Sequence, residues 1–453
     1  MTAVTAIETQ AAHDTAAVAD RAEHHVEVAS PARTAVAFAL WATLVLVSAV
    51  WGNALLHARV HMQIGAPPLT GAPDWRPGIP LATAALTGIL AAYGLPPLVD
   101  RVSWRKLLVV APVAALVWTL TINAVDGWTA FTRPVHTEYA ATAATITAPQ
   151  QFLHVLLAHP SQFNIHTRGH PPGLPLLLWG LRALGLTSTT GVAALYVLVG
   201  VAAVPAVLVT VADVAGRRAA RGAAPFLILV PGAVWMATSG DAFFTGVSAW
   251  AVALTVVATG RHDRWGDVLA LLGGALFGVT AFLSYGLVLL ALITLAVAVA
   301  RRRIRPLLLA GLGAAPLFAG FAAAGFWWLD GWAVTRHAYA AGVASRRPYD
   351  YFLLADLGAF LLAVGPAAAV ALAWLRDRRL AVVTGAALAA IAIADVSGMS
   401  KAEVERIWLP FAPWVLVATT ALAIARRRRT ARLLLVAQVL TAVGIQAFVR
   451  SPW

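Results

Sequence analysis

Two short runs carry most of the chemistry available to this chain. His-Thr-Glu-Tyr at 136–139 supplies a carboxylate and a phenol, and His-Thr-Arg-Gly-His-Pro-Pro-Gly at 166–173 supplies two imidazoles and a guanidinium. Glu138 is a candidate general base, because a positioned carboxylate can take the proton from an attacking hydroxyl. Arg168 and His170 are candidate phosphate partners, since charge-assisted donors bind phosphate oxygens best. Each run also has a plainer account. Glu138 could be an acid at the start of a helix, where the macrodipole favours a carboxylate. Pro171 and Pro172 suit the first turn of a following helix, and Arg168 suits a lipid headgroup. Spacing alone leaves both accounts open.

The elements that must position these residues are membrane helices. Of 453 residues, 60% are hydrophobic and only 12% charged, and the mean hydropathy is +0.78. Soluble domains are about 25% charged. Apolar runs of roughly 17 to 25 residues recur along the chain, each long enough to span a bilayer as a helix, and helices satisfy their own backbone in hydrocarbon. Alternating strands of about ten residues, the mark of a membrane β-barrel, are absent. The expected fold is an all-α polytopic membrane protein. Its net charge of +13 sits in arginine blocks between apolar runs, as topology signals do, so nucleic acid is not an expected partner. The chain has no cysteine, which rules out disulfides, thiolate metal sites and a cysteine nucleophile.

Residues 1–34 are Ala-rich and polar and lack the basic start and apolar core of a signal peptide. They read as a disordered cytoplasmic tail, with His24 and His25 solvated rather than metal-bound. Residues 35–453 read as a single transmembrane domain. Basic blocks at 101–106, 216–221, 261–264, 301–305, 376–379 and 426–429 are placed in the cytoplasm by the positive-inside rule. Apolar runs between them then cross out and back, 223–239 and 242–260, 268–284 and 286–300, 306–328 and 351–375, 380–397 and 407–425, with a first pair ahead of the blocks at 35–56 and 79–99 and a last span at 430–449. With 107–125 and 188–212, the count is about 13 spans. Between those last two, 126–172 must form a large extracytoplasmic loop. Segment 173–186 is too short for a comfortable crossing and reads as an interfacial or re-entrant helix. A second external loop is expected at 330–350.

This topology gathers the ionisable residues on one face. Glu138, Asp241, Arg168, His170 and Arg406 fall there, with Tyr139, His166, Tyr285, Arg336 and Glu405 as candidate substrate contacts and Arg346 and Arg347 in reserve. Ionisable groups near membrane depth are costly and tend to mark function. The run VHTEYAATAATITAPQQFLHVLLAHP reads as one helix on the membrane surface, with Glu138 near its N-terminal end.

The order of these elements resembles the GT-C glycosyltransferases, in particular the branch with protein O-mannosyltransferases and lipid A aminoarabinose transferases. HTEYAATA is similar to that branch's acidic motif, through Glu138 and Tyr139. HTRGHPPGLPLLLW is similar to its loop-closing Lys/His-Pro-Pro, through His170, Pro171 and Pro172. SGDAFFTGVSAW resembles the outer-edge acidic element, with Asp241 as its acid. TAFLSYGLVLL resembles the Phe-Leu-Thr-Lys-Gly turn, with Tyr285 in place of lysine. EVERIWLPFAPWVL resembles the late Arg-Tyr-x-x-Pro-x-x-Pro element, through Arg406, Trp408, Pro410 and Pro413. The likeness covers roughly residues 105–425. Two extra spans precede it, the acidic element has one acid rather than two, and no large soluble C-terminal domain follows.

The resemblance implies transfer of a sugar from a polyprenyl-phosphate-linked donor to an acceptor hydroxyl of a glycan, glycolipid or protein at the extracytoplasmic face. Glu138 would act as base and inversion would follow from a single displacement. Arg168, His170 and Arg406 would contact the donor phosphate, and Asp241 would orient one of the first two or hold the acceptor. No cofactor is assigned. A divalent cation is an open reading, because His136, Glu138, His166 and His170 share a loop, but no His-x-x-x-His spacing supports it. Two rivals stand beside this. Asp356 and Asp395 within apolar runs suit a transporter or lipid flippase, and the missing second acid suits an inactive scaffold for polymer assembly.

Overall fold

The computed structural model describes residues 31–133, 135, 138–237, 239–424 and 428–452. It is built almost wholly of helices, and nine among the described residues are long and apolar enough to cross a membrane, or up to ten if one bent pair counts as a span. The chain is therefore a multi-pass α-helical membrane protein. The expected tail 1–34 lies largely outside the described residues, and its last four residues already belong to the first helix, α1 (Pro31–His57).

α2 (Ile79–Arg101) and α3 (Trp104–Asn123) form a hairpin. Ser103 closes it by capping α3, its side chain accepting a hydrogen bond from the Lys106 amide. The segment 126–172, expected as an external loop, follows and carries three short helices, α4 (Tyr139–Thr145), α5 (Pro149–Ala158) and α6 (Ile165–Arg168); α7 (Gly173–Ala183) comes next, within the segment 173–186 expected as an interfacial or re-entrant helix. The single surface helix expected from Val135 onward is thus two. Pro149 supplies no amide to continue α4, and it disfavours helical backbone at the residue before it.

The chain then re-enters through α8 (Thr189–Val201) and α9 (Ala203–Ala215), turns, and continues in α10 (Arg217–Ile228) and the single-turn α11 (Ala233–Met236). The expected span at 223–239 is accordingly broken, with Pro225 inside α10 and Pro231-Gly232 ahead of α11. α12 (Gly240–Gly260) and α13 (Arg264–Leu283) are continuous. The run at 286–300 begins as a 3-10 turn, Tyr285–Leu290, before α14 (Ala291–Ala300). α15 (Arg305–Ala323) leads to α16 (Trp328–Ala341), in the segment where a second external loop was expected.

α17 (Tyr349–Val364) and α18 (Pro366–Trp374) replace one expected straight span and meet at 93°. Gly365 makes that corner with φ 80, a conformation that costs glycine little, and Pro366 starts the new helix without needing an amide partner. α19 (Arg378–Val396) is straight. The run at 407–425 is broken into α20 (Val404–Ile407), α21 (Ala412–Leu416) and α22 (Thr420–Ile424), with Pro410 and Pro413 interrupting its ladder. α23 (Arg428–Phe448) is the last long helix. After it, Val449–Arg450 pairs antiparallel with Ala72–Pro73, pinning the α1–α2 loop to the C-terminus.

Packing inside the bundle relies on small residues, since lipid offers no hydrophobic contrast to drive helices together. A Cβ on Gly274 would lie 1.9 Å from the Ala310 carbonyl oxygen, and one on Gly313 would lie 2.1 Å from that of Leu271. Glycine is what lets α13 and α15 approach so closely. The helices also separate two kinds of loop. At one end, Arg221 donates to the Val99 and Val102 carbonyls, Arg301 pairs with Asp213, and Arg303 donates to the Arg261 carbonyl. At the other end the α1–α2 loop, the 126–172 loop, α16 and the segment before α20 meet.

Candidate active site

The second of these ends holds a buried ionic cluster drawn from distant parts of the chain. Glu138 is the residue before α4 and is 1% exposed. Its Oε2 accepts a hydrogen bond of 3.1 Å from the Gly240 amide, the first residue of α12. Oε1 is buried with no hydrogen-bond partner among the described residues. Beside it Asp241, in the first turn of α12, pairs with Arg406 at 2.5 Å, and Arg406 also pairs with Glu403 at 2.7 Å. Arg347 lies 3.9 Å from the other oxygen of Glu403. Burial raises the Glu138 carboxyl to about 8, with Arg406 opposing and Asp241 and Glu403 reinforcing. At neutral pH this acid is mostly protonated. Burial alone would weaken the charge on Arg406, but Asp241, Glu403 and Glu138 together hold its guanidinium above the ordinary value.

A small polar knot fixes Glu138 against the histidine run. Asn164 caps α6 by accepting from the Thr167 amide, and its Nδ2 donates to the Glu138 carbonyl at 2.8 Å. Thr142 of α4 and Thr167 of α6 share a hydroxyl hydrogen bond of 2.8 Å. α4 and α6 are therefore tied together by side-chain hydrogen bonds. Their aromatic side packs Tyr139 edge-on against His166 and His170, with centroids 6.1 and 5.6 Å apart, and against Phe244 of α12 at 6.1 Å. Burial lowers both imidazoles, His166 to about 2 with Arg406 adding to the effect. The expected cationic histidines are thus neutral. His170 Nδ1 lies 2.9 Å from the His166 carbonyl. A carbonyl only accepts, so Nδ1 carries the proton and neutral Nε2 offers a lone pair. That suits a hydroxyl better than a phosphate.

Arg168 stands differently. Its guanidinium is half-buried, with no hydrogen-bond or ion-pair partner among the described residues, while its carbonyl accepts from Thr335 of α16. Asp241, expected to orient Arg168 or His170 or to hold the acceptor, pairs with Arg406. Tyr285 packs on Trp328 and Trp332, 5.1 and 5.4 Å between centroids, joining the 3-10 turn to α16. Arg336 is exposed on α16 and Glu405 is buried facing the α1–α2 loop, so neither touches the ionic cluster. His136 lies outside the described residues. Among the described residues, no group of three or more His, Asp or Glu comes together as a metal site.

No family model, curated protein or solved structure matches the chain.

Residues that spacing did not single out complete the cluster. Ala402 and Glu403 both have left-handed backbone, φ 68 and 64, a strained choice for residues with side chains. Each is held by a buried acceptor: the Ala402 amide donates to Asp356, and the Glu403 amide donates to Thr70 Oγ1. The Thr70 amide in turn donates to Glu405 at 2.9 Å. Arg347 donates to the carbonyls of Met62 and Lys401. The loop between the two extra N-terminal helices is therefore part of the scaffold that aims Arg406, and no local pattern could have announced it. Thr70→Val removes the acceptor for the strained Glu403 amide and is expected to cost about 1–3 kcal/mol. Thermal unfolding in detergent tests this, and an unchanged melting temperature would refute it.

Proposed function

We propose that the protein is an integral membrane glycosyltransferase that moves a sugar from a polyprenyl-phosphate-linked donor to an acceptor hydroxyl, with inversion. The observation that carries this reading is the meeting of separated sequence elements at one point. Glu138-Tyr139, His166–His170, Gly240-Asp241 and Glu403–Arg406, up to 165 residues apart in a single contact, meet beside a carboxyl oxygen with no hydrogen-bond partner among the described residues. In the proposed reaction Glu138 takes the acceptor hydroxyl's proton as the oxygen attacks the anomeric carbon. The carrier phosphate leaves as a stable anion, stabilised by the guanidinium of Arg168 and by the field of Arg406. His170, neutral, accepts a hydrogen bond from a sugar or acceptor hydroxyl. Asp241 and Glu403 hold Arg406 in place.

The topology that goes with this reading has thirteen crossings, a cytoplasmic N-terminus and the Glu138 cluster on the extracytoplasmic side, as the basic turns at the other end require under the positive-inside rule. Acceptors of the right chemistry are a cell-envelope glycan, a glycolipid or an exported protein. The test is direct. Purified protein is given polyprenyl-phospho-sugars with a panel of hydroxyl acceptors, and released polyprenyl phosphate is measured. Release that depends on acceptor supports the proposal. No release with any hexosyl or pentosyl donor, alongside lipid movement between leaflets in vesicles, would replace it with a flippase.

A further inference from the structure

At the end of the bundle opposite Glu138, a cavity of about 540 Å³ opens between α2, α10, α22 and α23. One part of its lining is charged: Arg218, Arg221 and Arg432, with Asp100 as the single acid. The rest is apolar, including Pro96, Phe226 and Leu435. The arginines are not equivalent. Arg221 is committed to the structure, its guanidinium donating to the carbonyls of Val99 and, at 2.8 Å, Val102 at the C-terminal end of α2. Arg218 is exposed, and neither it nor Arg432 has a hydrogen-bond or ion-pair partner among the described residues. Arg432 Nε is buried with no acceptor among the described residues. A buried guanidinium nitrogen left without an acceptor is costly, and an anion in the cavity would relieve that cost.

We propose that this cavity binds an anionic phospholipid, with its phosphate against Arg432 and Arg218 and its glycerol and upper chains along Phe226 and Leu435. Three features select that ligand class. Three positive groups against one negative favour an anion. The volume is many times the roughly 30 Å³ of a water, far more than a free phosphate needs. The apolar wall lies at the ends of two long apolar helices, where the headgroup layer of a bilayer meets its hydrocarbon. Asp100 adds an acceptor for a headgroup hydroxyl, which a glycerol headgroup supplies. The site is independent of the reaction proposed for Glu138, because the chain travels the length of α10 and α11, from Arg217 to Gly240, between the two.

The experiment uses the purified full-length protein in detergent, with native mass spectrometry of added phosphatidylglycerol against phosphatidylcholine of the same chain length. Preferential retention of phosphatidylglycerol is expected, falling roughly fivefold for each of Arg432→Gln and Arg218→Gln. Arg378→Gln, an exposed arginine at the start of α19, should leave the preference intact. Inorganic phosphate at millimolar concentration should not displace the lipid. If Arg432→Gln fails to fold, the exposed Arg218→Gln alone still reports its fivefold loss. Equal retention of the two lipids, a preference that survives both substitutions, or displacement by inorganic phosphate would each overturn the proposal.

Discussion

Glu138→Gln is expected to reduce sugar transfer by about 10²–10⁴-fold, the usual contribution of a positioned base, while donor binding is unchanged. The amide is the same size as the carboxyl and its oxygen still accepts from Gly240, so the knot of Asn164, Thr142 and Thr167 is undisturbed. Only the ability to take a proton is lost. The pH dependence makes the assignment sharper. Burial holds Glu138 at about 8, so the basic form fills as pH rises through 8, and the rate should climb over the same interval. Asp241 and Glu403 push that value up and Arg406 pulls it down. Asp241→Asn should therefore move the rising limb to lower pH. Turnover by Glu138→Gln within a few-fold of wild type, or a rate that falls between pH 6 and 9, would remove Glu138 from the mechanism.

Arg406→Gln should be the most damaging single change to the fold of the site, costing roughly 3–5 kcal/mol as expected when one partner of a buried ion pair is removed. Arg406 is 4% exposed and Asp241 3%, so the abandoned carboxylate has no water to turn to. Some relief comes from the N-terminal dipole of α12, where Asp241 sits, but a dipole does not replace a guanidinium at 2.5 Å. The paired variant Asp241→Asn with Arg406→Gln removes both charges and should recover much of the lost stability without restoring transfer. Melting of the detergent-solubilised proteins gives the comparison. A single variant as stable as wild type, or a double variant no more stable than the single, would show that the pair does not carry this energy.

Much of the architecture was legible because membrane helices are written in composition. Runs of apolar residues without interruption, such as those of α12, α13 and α19, can only be helices in hydrocarbon, and they are. Prolines blurred the pattern. The runs at 223–239, 351–375 and 407–425 have the hydropathy of spans, but Pro231-Gly232, Pro366, Pro410 and Pro413 break or bend them, and hydropathy averages over such breaks. The split of α4 from α5 at Pro149 has the same cause.

The candidate site divides along a similar line. Glu138, Asp241, Arg406, His166 and His170 were visible in the sequence because ionisable residues are conspicuous in an apolar chain. The sequence by itself determined that this is a helical membrane protein and which residue types it places at its loops. Only the tertiary structure decided who meets whom: that Asp241 pairs with Arg406, that Thr70 supports Glu403 from a loop more than three hundred residues away, and that the histidines are neutral. Those outcomes rest on distances and burial between segments far apart in the chain. A local pattern records what a residue is, while its charge state and its partner are set by what the fold brings beside it.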